Sequence, residues 1–236
     1  MAGESQQKSI SVIIPVYREA EGIGDFIRTL EKIKSADQVL EWFFVDGGSP
    51  DDTVEIIRSF GIEPLISPKK GRAAQMNYGI EKASGDVLYF LHADTIPPDN
   101  FLPKILKAID SGAESGCFRL TFDEPNPIMK LYSWFTRFDL LPFRFGDQSL
   151  FVTRQAVEEC GLYLEDHIVM EDNEYIRRLR KRGTFQILES EVVTSARKYR
   201  ENGFIRLQLI FSAIFLMYYA GADQDTLVKF YTDMIR

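Results

Sequence analysis

The stretch VLYFLHAD, residues 87–94, is the most informative part of the sequence. It is an unbroken apolar run that ends in a histidine and an aspartate. The stretch WFFVD, residues 42–46, has the same form and also ends in an aspartate. Short apolar runs of this kind predict buried strands. Any single aspartate after such a run is more often a turn or cap residue. Open α/β sheets, however, bind ligands at the carboxyl ends of their strands, so the repetition favours a site that contains Asp46 and Asp94.

Strand-like runs and helical patterns alternate four times between residues 10 and 109. This alternation predicts an α/β fold with parallel strands. One helix is expected to start at Ser49 and Pro50, an N-cap followed by a proline in the first turn. Another is expected over residues 71–83, between two glycines.

After residue 115 the pattern changes to short strands, an irregular loop and further helices. The last forty or so residues predict two helices, over residues 204–220 and 224–235. We predict one catalytic domain over residues 1–203, with a C-terminal helical appendage, residues 204–236, packed on it.

The composition excludes several classes of function. The 236 residues carry a formal net charge of −7, which argues against nucleic acid as the main partner, since phosphate binding needs an electropositive face. The two cysteines, Cys117 and Cys160, form neither a disulfide framework nor a zinc-type spacing, which indicates a reducing compartment. The polar residues 1–8 lack the apolar core of a signal peptide. Residues 209–222 are shorter than the ~20 apolar residues of a spanning helix, so a buried core helix is preferred there.

His92 and Asp94 are two potential metal ligands on alternate residues. Alternate side chains of an extended segment point to the same face, so both can approach one cation. Carboxylate oxygens suit Mg²⁺ or Mn²⁺, which bind substrate phosphates and retain waters. For His92, an ordinary hydrogen-bonded histidine at a strand end is an equally good interpretation.

Two further segments contain charged residues that are suited to ligand binding or catalysis. No glycine-rich phosphate loop occurs in the sequence. Arg72 begins a predicted helix just after Lys70, and a helix N-terminus with basic neighbours is an anion site. Glu171 and Asp172 start another helix, where acidic residues complement the helix dipole. One of these two carboxylates is in addition a candidate general base.

Four segments share a resemblance to one family: VIIPVYREAEGI, FVDGGSPDDT, KKGRAAQMNYGIEKASGDVLYFLHADT and MEDNEYIRRLRKRG. In this order they resemble the family 2 glycosyltransferases, and in particular a bacterial subgroup with a His-Ala-Asp metal motif and a Gly-Asp-Gln loop, here residues 146–148. The resemblance covers about residues 9–203. It implies a GT-A fold, in which a mixed, mainly parallel sheet flanked by helices binds a nucleotide-diphospho-sugar.

The resemblance also implies roles for residues at matching positions. Asp46 would contact the nucleoside, Arg72 would lie near the base or the diphosphate, and Asp94 would bind the divalent cation that bridges the diphosphate. Asp172, beside Glu171, would be the catalytic base of an inverting transfer. The enzyme would be a glycosyltransferase of the hexosyltransferase type, acting on a hydroxyl acceptor that the sequence does not identify.

Other residues of the same segments belong to the implied donor site: Pro15, Tyr17, Glu19, Lys70 and His92. The donor would be a UDP- or GDP-linked sugar, and the cofactor a Mg²⁺ or Mn²⁺ ion. His92 departs from the pattern, since many relatives have an aspartate there. Asp94 holds the position that usually ligates the metal directly.

Two loops are candidates for the acceptor side. The loop over residues 140–148 mixes aromatic residues with Arg144, Asp147 and Gln148, and a basic group with Arg197, Tyr199 and Arg200 follows the last strand. Aromatic and polar side chains together are typical of sugar-binding loops. Ordinary packing with solvated arginines explains them equally well.

Two other functions remain open. The first is a non-catalytic sugar-nucleotide-binding or membrane-docking protein of the same fold, against which the presence of both Asp94 and Asp172 argues. The second is a metal-dependent phosphohydrolase, because residues 92–95 resemble an aspartyl-phosphate motif, but His92 occupies the nucleophile position.

The apolar residues 204–220 predict a contact with a membrane surface or a second copy of the chain. We expect a cytoplasmic protein, located at the inner face of the membrane if the membrane contact exists.

Overall fold

The first half of the chain forms the parallel part of a sheet. In the computed structural model, which describes residues 8–33 and 39–235, strands and helices alternate there as the sequence predicts. The strands are β1 (Ile10–Val16), β2 (Val39–Asp46), β3 (Leu65–Ile66) and β4 (Val87–Phe90). The helices between them are α1 (Ile23–Glu31), α2 (Thr53–Ser59) and α3 (Arg72–Lys82).

The second half extends the sheet with mixed strands and adds seven helices in the described residues. Its strands are β5 (Thr95–Ile96), β6 (Ser115–Phe122), β7 (Leu150–Thr153) and β8 (Phe185–Thr194). Its helices are α4 (Phe101–Asp110), α5 (Pro127–Phe135), α6 (Arg154–Cys160), α7 (Glu171–Arg182), α8 (Arg197–Asn202), α9 (Phe204–Tyr219) and α10 (Gln224–Met234). Two short 3₁₀ turns, Leu141–Phe143 and Gly146–Gln148, precede β7.

The eight strands of the described residues form one sheet in the order β3-β2-β1-β4-β7-β6-β8-β5. β1 pairs in parallel with both β2 and β4, and β2 pairs in parallel with β3. β7 is antiparallel to β4 and β6, while β6 and β8 are parallel. Because β1 lies between β2 and β4, the loops after these three strands meet at one edge, which is where such sheets bind ligands.

Both faces of the central strands are buried. In β1, Val12 and Ile14 pack into the core on one face, whereas Ile13 packs into the core on the other. β4 alternates in the same way, with Tyr89 on the first face and Phe90 on the second. Strand side chains point alternately to opposite faces, so a sheet covered by helices on both sides requires apolar residues at every position.

The last two helices form a small apolar cluster of their own. Ile210 and Ile214 of α9 pack with Leu227 of α10 and with Met170, the residue before α7. Three residues on the other side of α9 stay exposed: Ile205, Leu209 and Leu216. Within the described residues, no helix has the combination of length and apolar character that crossing a membrane requires. The division at residue 203 stays a prediction.

Most predicted elements are confirmed, with α3, α9 and α10 each within one residue of their expected ends. The helix start at Ser49 was wrong, because α2 begins at Thr53. The strands after residue 115 were expected to be short, but β8 has ten residues. Helix α8 and the short strand β5 were not predicted. The polar N-terminal residues 1–7 lie outside the described residues.

Candidate active site

The loop after β2 is organised by a buried aspartate. Asp46 is 1% exposed, and its Oδ2 accepts hydrogen bonds from the backbone N–H groups of Gly48 (2.7 Å) and Ser49 (2.9 Å). The Ser49 hydroxyl donates to the other carboxylate oxygen. Gln75 of α3 closes the same corner, because its Nε2 donates to carbonyl oxygens of β1 and β2 at 2.8 and 2.7 Å. Asp46 therefore fixes the turn in which the resemblance expects a nucleoside ligand.

The loop after β1 brings Glu19 to the same edge. Its backbone N–H donates to the hydroxyl of Thr53 (2.9 Å), which ties this loop to α2. Its carboxylate lies 3.7 Å from Nη2 of Arg197. Burial raises the pKa of Glu19, and the negative charge of Asp94 adds to the increase, whereas Arg197 opposes it. Glu19 and Asp94 therefore share one electrostatic environment.

The segment after β4 presents His92 and Asp94. The side chain of Asp94 is exposed, and its backbone carbonyl accepts a hydrogen bond from the N–H of Ser195 (3.1 Å), just after β8. The side chain of His92 is 15% exposed. Burial lowers the pKa of His92 to about 3, and the cations Arg72 and Lys198 act in the same direction. The imidazole is therefore neutral at physiological pH and has a free lone pair on one nitrogen.

Helix α7 begins with two buried carboxylates, Glu171 (6% exposed) and Asp172 (8% exposed). Arg72, the first residue of α3, contacts both of them. Its Nη1 lies 3.0 Å from Glu171 Oε1 and 3.7 Å from Asp172 Oδ2. The Arg72 side chain is nevertheless 48% exposed, so the guanidinium is also accessible from outside the protein. The N-termini of α3 and α7 thus meet across one charged cluster.

Asp172 has the surroundings of a proton acceptor. Burial raises the pKa of Asp172 to about 7, and repulsion from Glu171 and Asp147 contributes to the shift. Arg72 and a hydrogen bond from the backbone N–H of Gly146 lower it. A carboxyl group whose pKa is close to neutral can both accept and release a proton under physiological conditions.

Gly146 lies between Asp172 and His92. A Cβ atom at this position would clash with the Asp172 carboxylate and would lie 2.8 Å from His92 Nε2. The absence of a side chain lets the loop reach the cluster, where His92 Nε2 is 3.9 Å from Asp172 Oδ2. The next residue, Asp147, follows into the same region: burial raises its pKa to about 6, and the charge of Asp94 adds to the shift.

Helix α8 adds cations that the sequence did not assign to this site. Lys198 was not singled out at all, and Arg197 was treated only as part of an acceptor loop. Lys198 acts electrostatically on both His92 and Asp147, and its Nζ donates to the hydroxyl of Tyr231 (2.9 Å). The basic run after the last strand was visible in the sequence, but nothing in it indicated that α8 returns to the loop after β4.

The residues of the predicted acceptor loop, 140–148, have two different roles. Arg144 is fully buried, and its guanidinium donates to Gln148 Oε1 (2.6 Å) and to the carbonyl oxygen of Thr136 (2.7 Å). Gln148 is 2% exposed. Both side chains are buried and hydrogen-bonded within the loop, so they pack instead of binding an acceptor, and Arg144 is not the solvated arginine that the packing interpretation assumed. Asp147 alone of the three points toward the charged cluster.

The residues predicted from the sequence differ in where they lie. Direct contacts bring together His92, Arg72, Glu171 and Asp172. Asp94 and Glu19 join this group electrostatically. Of the three others, Pro15 is buried within β1, Tyr17 is 45% exposed and Lys70 is exposed, and their roles in the donor site stay predictions.

The carboxylates and the imidazole at this edge form a small donor set for a divalent cation. Within residues 8–33 and 39–235, no three histidine, cysteine, aspartate or glutamate side chains converge as metal ligands. Mg²⁺ and similar ions commonly use one or two protein carboxylates together with substrate phosphates and waters. The exposed carboxylate of Asp94, with Asp147 and the neutral His92 nearby, is a donor set of this smaller kind. The residues therefore fit an ion that is held jointly with a diphosphate.

The sheet order and the cluster at its edge define a GT-A type fold, and comparisons with known proteins agree. The profile described as Glycosyl transferase family 2 matches residues 11–162. The chain belongs to this family.

Two relatives illustrate the similarity. Glycosyltransferase AglE of Haloferax volcanii is 30% identical over 174 residues, which is 68% of this chain and 57% of that protein. The undecaprenyl-phosphate 4-deoxy-4-formamido-L-arabinose transferase of Photorhabdus laumondii is 30% identical over 115 residues, or 45% of this chain and 35% of that protein. The chain thus spans well under two thirds of the length of either relative.

Solved structures share the fold at low sequence identity. The mannosyltransferase PcManGT from Pyrobaculum calidifontis, in complex with GDP-Man and Mn²⁺, aligns with a TM-score of 0.69 at 16% identity, over 96% of this chain and 70% of that one. Glucosyl-3-phosphoglycerate synthase from Mycobacterium tuberculosis, in complex with Mn²⁺, UDP-Glc and phosphoglyceric acid, gives 0.64 at 15% identity, over 91% and 80% of the two chains.

Proposed function

We propose that the protein transfers a sugar from a nucleotide-diphospho-sugar to a hydroxyl acceptor, with inversion at the anomeric carbon and with the help of a divalent cation. The main support is the environment of Asp172, a buried carboxylate whose pKa is raised to about 7 at the edge of a GT-A sheet. A general base needs a proton affinity close to the working pH and a position beside the reacting group.

In the proposed reaction, Asp172 accepts the proton of the acceptor hydroxyl while the oxygen attacks the anomeric carbon from the side opposite the leaving diphosphate. One displacement without a protein nucleophile inverts the configuration. Arg72, 3.7 Å from Asp172, keeps part of the carboxylate population ionised, because its charge opposes the effect of burial. Glu171 assists indirectly, since it holds Arg72 at 3.0 Å.

The departing diphosphate would meet the cations of α3 and α8. Arg72 is half exposed at the N-terminus of α3, where backbone N–H groups also favour an anion. Lys198 and Arg197 of α8 add positive charge to the same region, since they act electrostatically on His92 and on Glu19 respectively. Positive charge held in advance at the leaving group stabilises the transition state without further reorganisation.

A divalent cation, when bound, would add Lewis-acid stabilisation of the diphosphate. Asp94 is the proposed main ligand, and the neutral His92 and Asp147 are the proposed additional donors. For the nucleoside, Asp46 and the turn it fixes are proposed to form one wall. The two structural neighbours were solved with GDP-Man and with UDP-Glc, so we propose a UDP- or GDP-linked donor.

We also propose a cytoplasmic location and, through residues 204–220, a contact with the inner face of a membrane or with a second copy of the chain. The support is the exposed apolar side of α9, where Leu209 and Leu216 are 65% and 68% exposed. If the purified protein is monomeric without detergent and does not bind liposomes, this contact is ruled out.

The donor and metal assignments are tested by thermal unfolding with UDP, GDP and their sugars, in Mn²⁺ or in chelator. A bound nucleotide raises the melting temperature by linkage, and we expect the increase to be much larger in Mn²⁺. The Asp94→Ala variant should lose the part of the increase that depends on Mn²⁺, whereas Asp110→Ala, an exposed carboxylate at the end of α4, should behave as the unmodified protein. An equal loss for Asp94→Ala in Mn²⁺ and in chelator would rule out Asp94 as the metal ligand.

A further inference from the structure

The segment before Asp172 is held by a side chain from the C-terminal helices. Gln224, the first residue of α10, makes three hydrogen bonds to this segment. Its Oε1 accepts from the backbone N–H groups of Ile168 (3.0 Å) and Val169 (3.1 Å), and its Nε2 donates to the carbonyl oxygen of Val169 (3.1 Å). This stretch has no regular secondary structure. The side-chain amide of Gln224 thus forms the backbone hydrogen bonds that a neighbouring strand would form in a sheet.

A second link joins α9 to the residue after Asp172. Asn173 is completely buried, and its Oδ1 accepts a hydrogen bond from the hydroxyl of Tyr219 (2.8 Å). Its Nδ2 donates to the carbonyl oxygens of Leu141 and Arg144, both at 2.9 Å. Because these carbonyls belong to the loop that also contains Gly146, Asn173 fixes the positions of α9, α7 and that loop relative to one another.

A third observation concerns the backbone between these two links. Met170 has φ 69°, in the left-handed region that residues with a side chain rarely adopt. Such a conformation is energetically unfavourable and persists only where the surroundings impose it. Here the surroundings are Ile210, Ile214 and Leu227, which pack around the Met170 side chain. The strained residue directly precedes Glu171 and Asp172, so the direction in which α7 starts depends on this packing.

We propose that the α9–α10 hairpin positions the catalytic base, with Gln224 and Tyr219 as its two positioning residues. This inference rests on the proposed function, because it assumes that Asp172 is the base. The two residues touch the backbone at 168–169 and the side chain of Asn173, not the reacting atoms. A base displaced by about an ångström loses much of its catalytic effect, so the hairpin controls turnover without taking part in the chemistry.

This role predicts a separation between turnover and donor binding. Most of the donor side lies outside α7, because Asp46 ends β2, Asp94 follows β4, and the backbone of Arg72 belongs to α3. Loosening the start of α7 should therefore lower kcat and leave donor affinity nearly unchanged. A merely structural role of the hairpin would lower kcat, donor affinity and melting temperature together.

The experiment compares three single variants of the full chain: Gln224→Ala, Tyr219→Phe and, as a matched control, Tyr132→Phe. The control removes a hydroxyl that also reaches α9, through the carbonyl oxygen of Phe204 (3.5 Å), but not the segment before Asp172. Hydrogen exchange is measured at the amides of residues 168–174. Release of nucleoside diphosphate from UDP-glucose or GDP-mannose in Mn²⁺, with water or added alcohols as acceptor, gives kcat and the donor KM.

We expect Gln224→Ala to accelerate exchange at Ile168 and Val169, because their N–H groups lose their acceptor. Both Gln224→Ala and Tyr219→Phe should lower kcat by about tenfold or more, with the donor KM within about twofold, as misplacement of a base predicts. Tyr132→Phe should change neither quantity.

Unchanged exchange at residues 168–169, or faster exchange with unchanged kcat, would overturn the proposal. So would a parallel loss of kcat and donor affinity in both variants. If the unmodified protein binds nucleotides but releases none from any donor, the proposed function fails instead. In that case the exchange rates still decide whether the hairpin holds the segment.

Discussion

The loop after β2 and the first turn of α7 each bury an aspartate, but the two carboxylates have different surroundings. Asp46 is 1% exposed and receives hydrogen bonds on both oxygens from the turn that follows it. Asp172 is 8% exposed, lies 3.7 Å from Arg72 and is repelled by Glu171. The hydrogen bonds hold the Asp46 carboxylate in its turn, whereas a carboxylate that is buried beside other carboxylates retains affinity for a proton. The number of nearby donors, rather than burial, separates a structural anchor from a candidate base.

The largest expected effect is on turnover in Asp172→Asn. The amide has nearly the same shape but accepts no proton, so turnover should fall by about 10²–10⁴-fold, the usual contribution of a general base. The affinity for UDP or GDP in Mn²⁺ should stay nearly unchanged, since the donor side is built elsewhere. Steady-state kinetics and a binding titration on the same preparation measure the two quantities.

Asp46→Asn provides the contrast to that variant. It places an NH₂ group against N–H donors in the turn after β2, so it should lower stability and nucleotide affinity. Persistent turnover in Asp172→Asn would remove Asp172 from the base role and, with it, the distinction drawn between the two aspartates.

The second effect tests how closely the site is packed around Asp172. Gly146→Ala adds a methyl group that would clash with the Asp172 carboxylate and lie 2.8 Å from His92 Nε2. Gly146 has no left-handed backbone, so only this clash is introduced. We expect kcat to fall by about 10–100-fold, because a small displacement of a catalytic group has an effect of this order.

Gly22→Ala is the matched control for that variant. Gly22 lies before α1 with φ −115°, and a Cβ there meets no atom within 4 Å. It should therefore leave kcat unchanged. If Gly146→Ala also left kcat unchanged, the loop over residues 146–148 would not be packed against the base in solution.

The surroundings of Asp46 and Asp172 also differ in how far the sequence predicts them. The strands that end near Asp46 and Asp94 were predictable because their apolar runs and the helices between them follow local rules. The start of α2 was not, because Ser49 has the features of an N-cap but hydrogen-bonds to Asp46, three residues earlier in the chain. The hydroxyl oxygen of Ser49, which an N-cap would offer to a helix N–H group, instead accepts a hydrogen bond from the backbone N–H of Arg18 (3.1 Å).

Around Asp172, the contacts that the sequence did not predict come from distant segments of the chain. The resemblance indicated Asp172 itself, but its partners come from positions far apart in the sequence: Arg72, His92 and Asp147. Arg144 shows the opposite error, since an arginine in a polar loop suggested ligand binding, yet its guanidinium is enclosed by backbone carbonyls. Contacts between distant segments decide these roles, and no periodicity or short motif describes such contacts.

The smallest expected effect concerns the pH dependence of stability in the same Asp172→Asn variant. Folding raises the pKa of Asp172 from its ordinary 3.8 to about 7. Between these values the folded protein retains a proton that the unfolded chain has released. The carboxyl group therefore lowers stability progressively as the pH rises from about 4 to about 7, and no further above that. An asparagine carries no charge at any pH, so the variant should be more stable above pH 7, and its advantage should shrink as the pH falls toward 4.

We expect the advantage above pH 7 to be on the order of a few kcal/mol, because the pKa of Asp172 rises by about three units and one unit corresponds to about 1.4 kcal/mol. Denaturant unfolding of both proteins at several pH values between 4 and 8 measures it. Asp46→Asn should be less stable than the unmodified protein over this range, because the loss of hydrogen-bond acceptors is not offset by the removal of an unfavourable charge. If Asp172→Asn were destabilised above pH 7, the carboxylate would be well solvated or fully paired in the folded state. Asp172 would then resemble Asp46, and its proton affinity would no longer support the role of base.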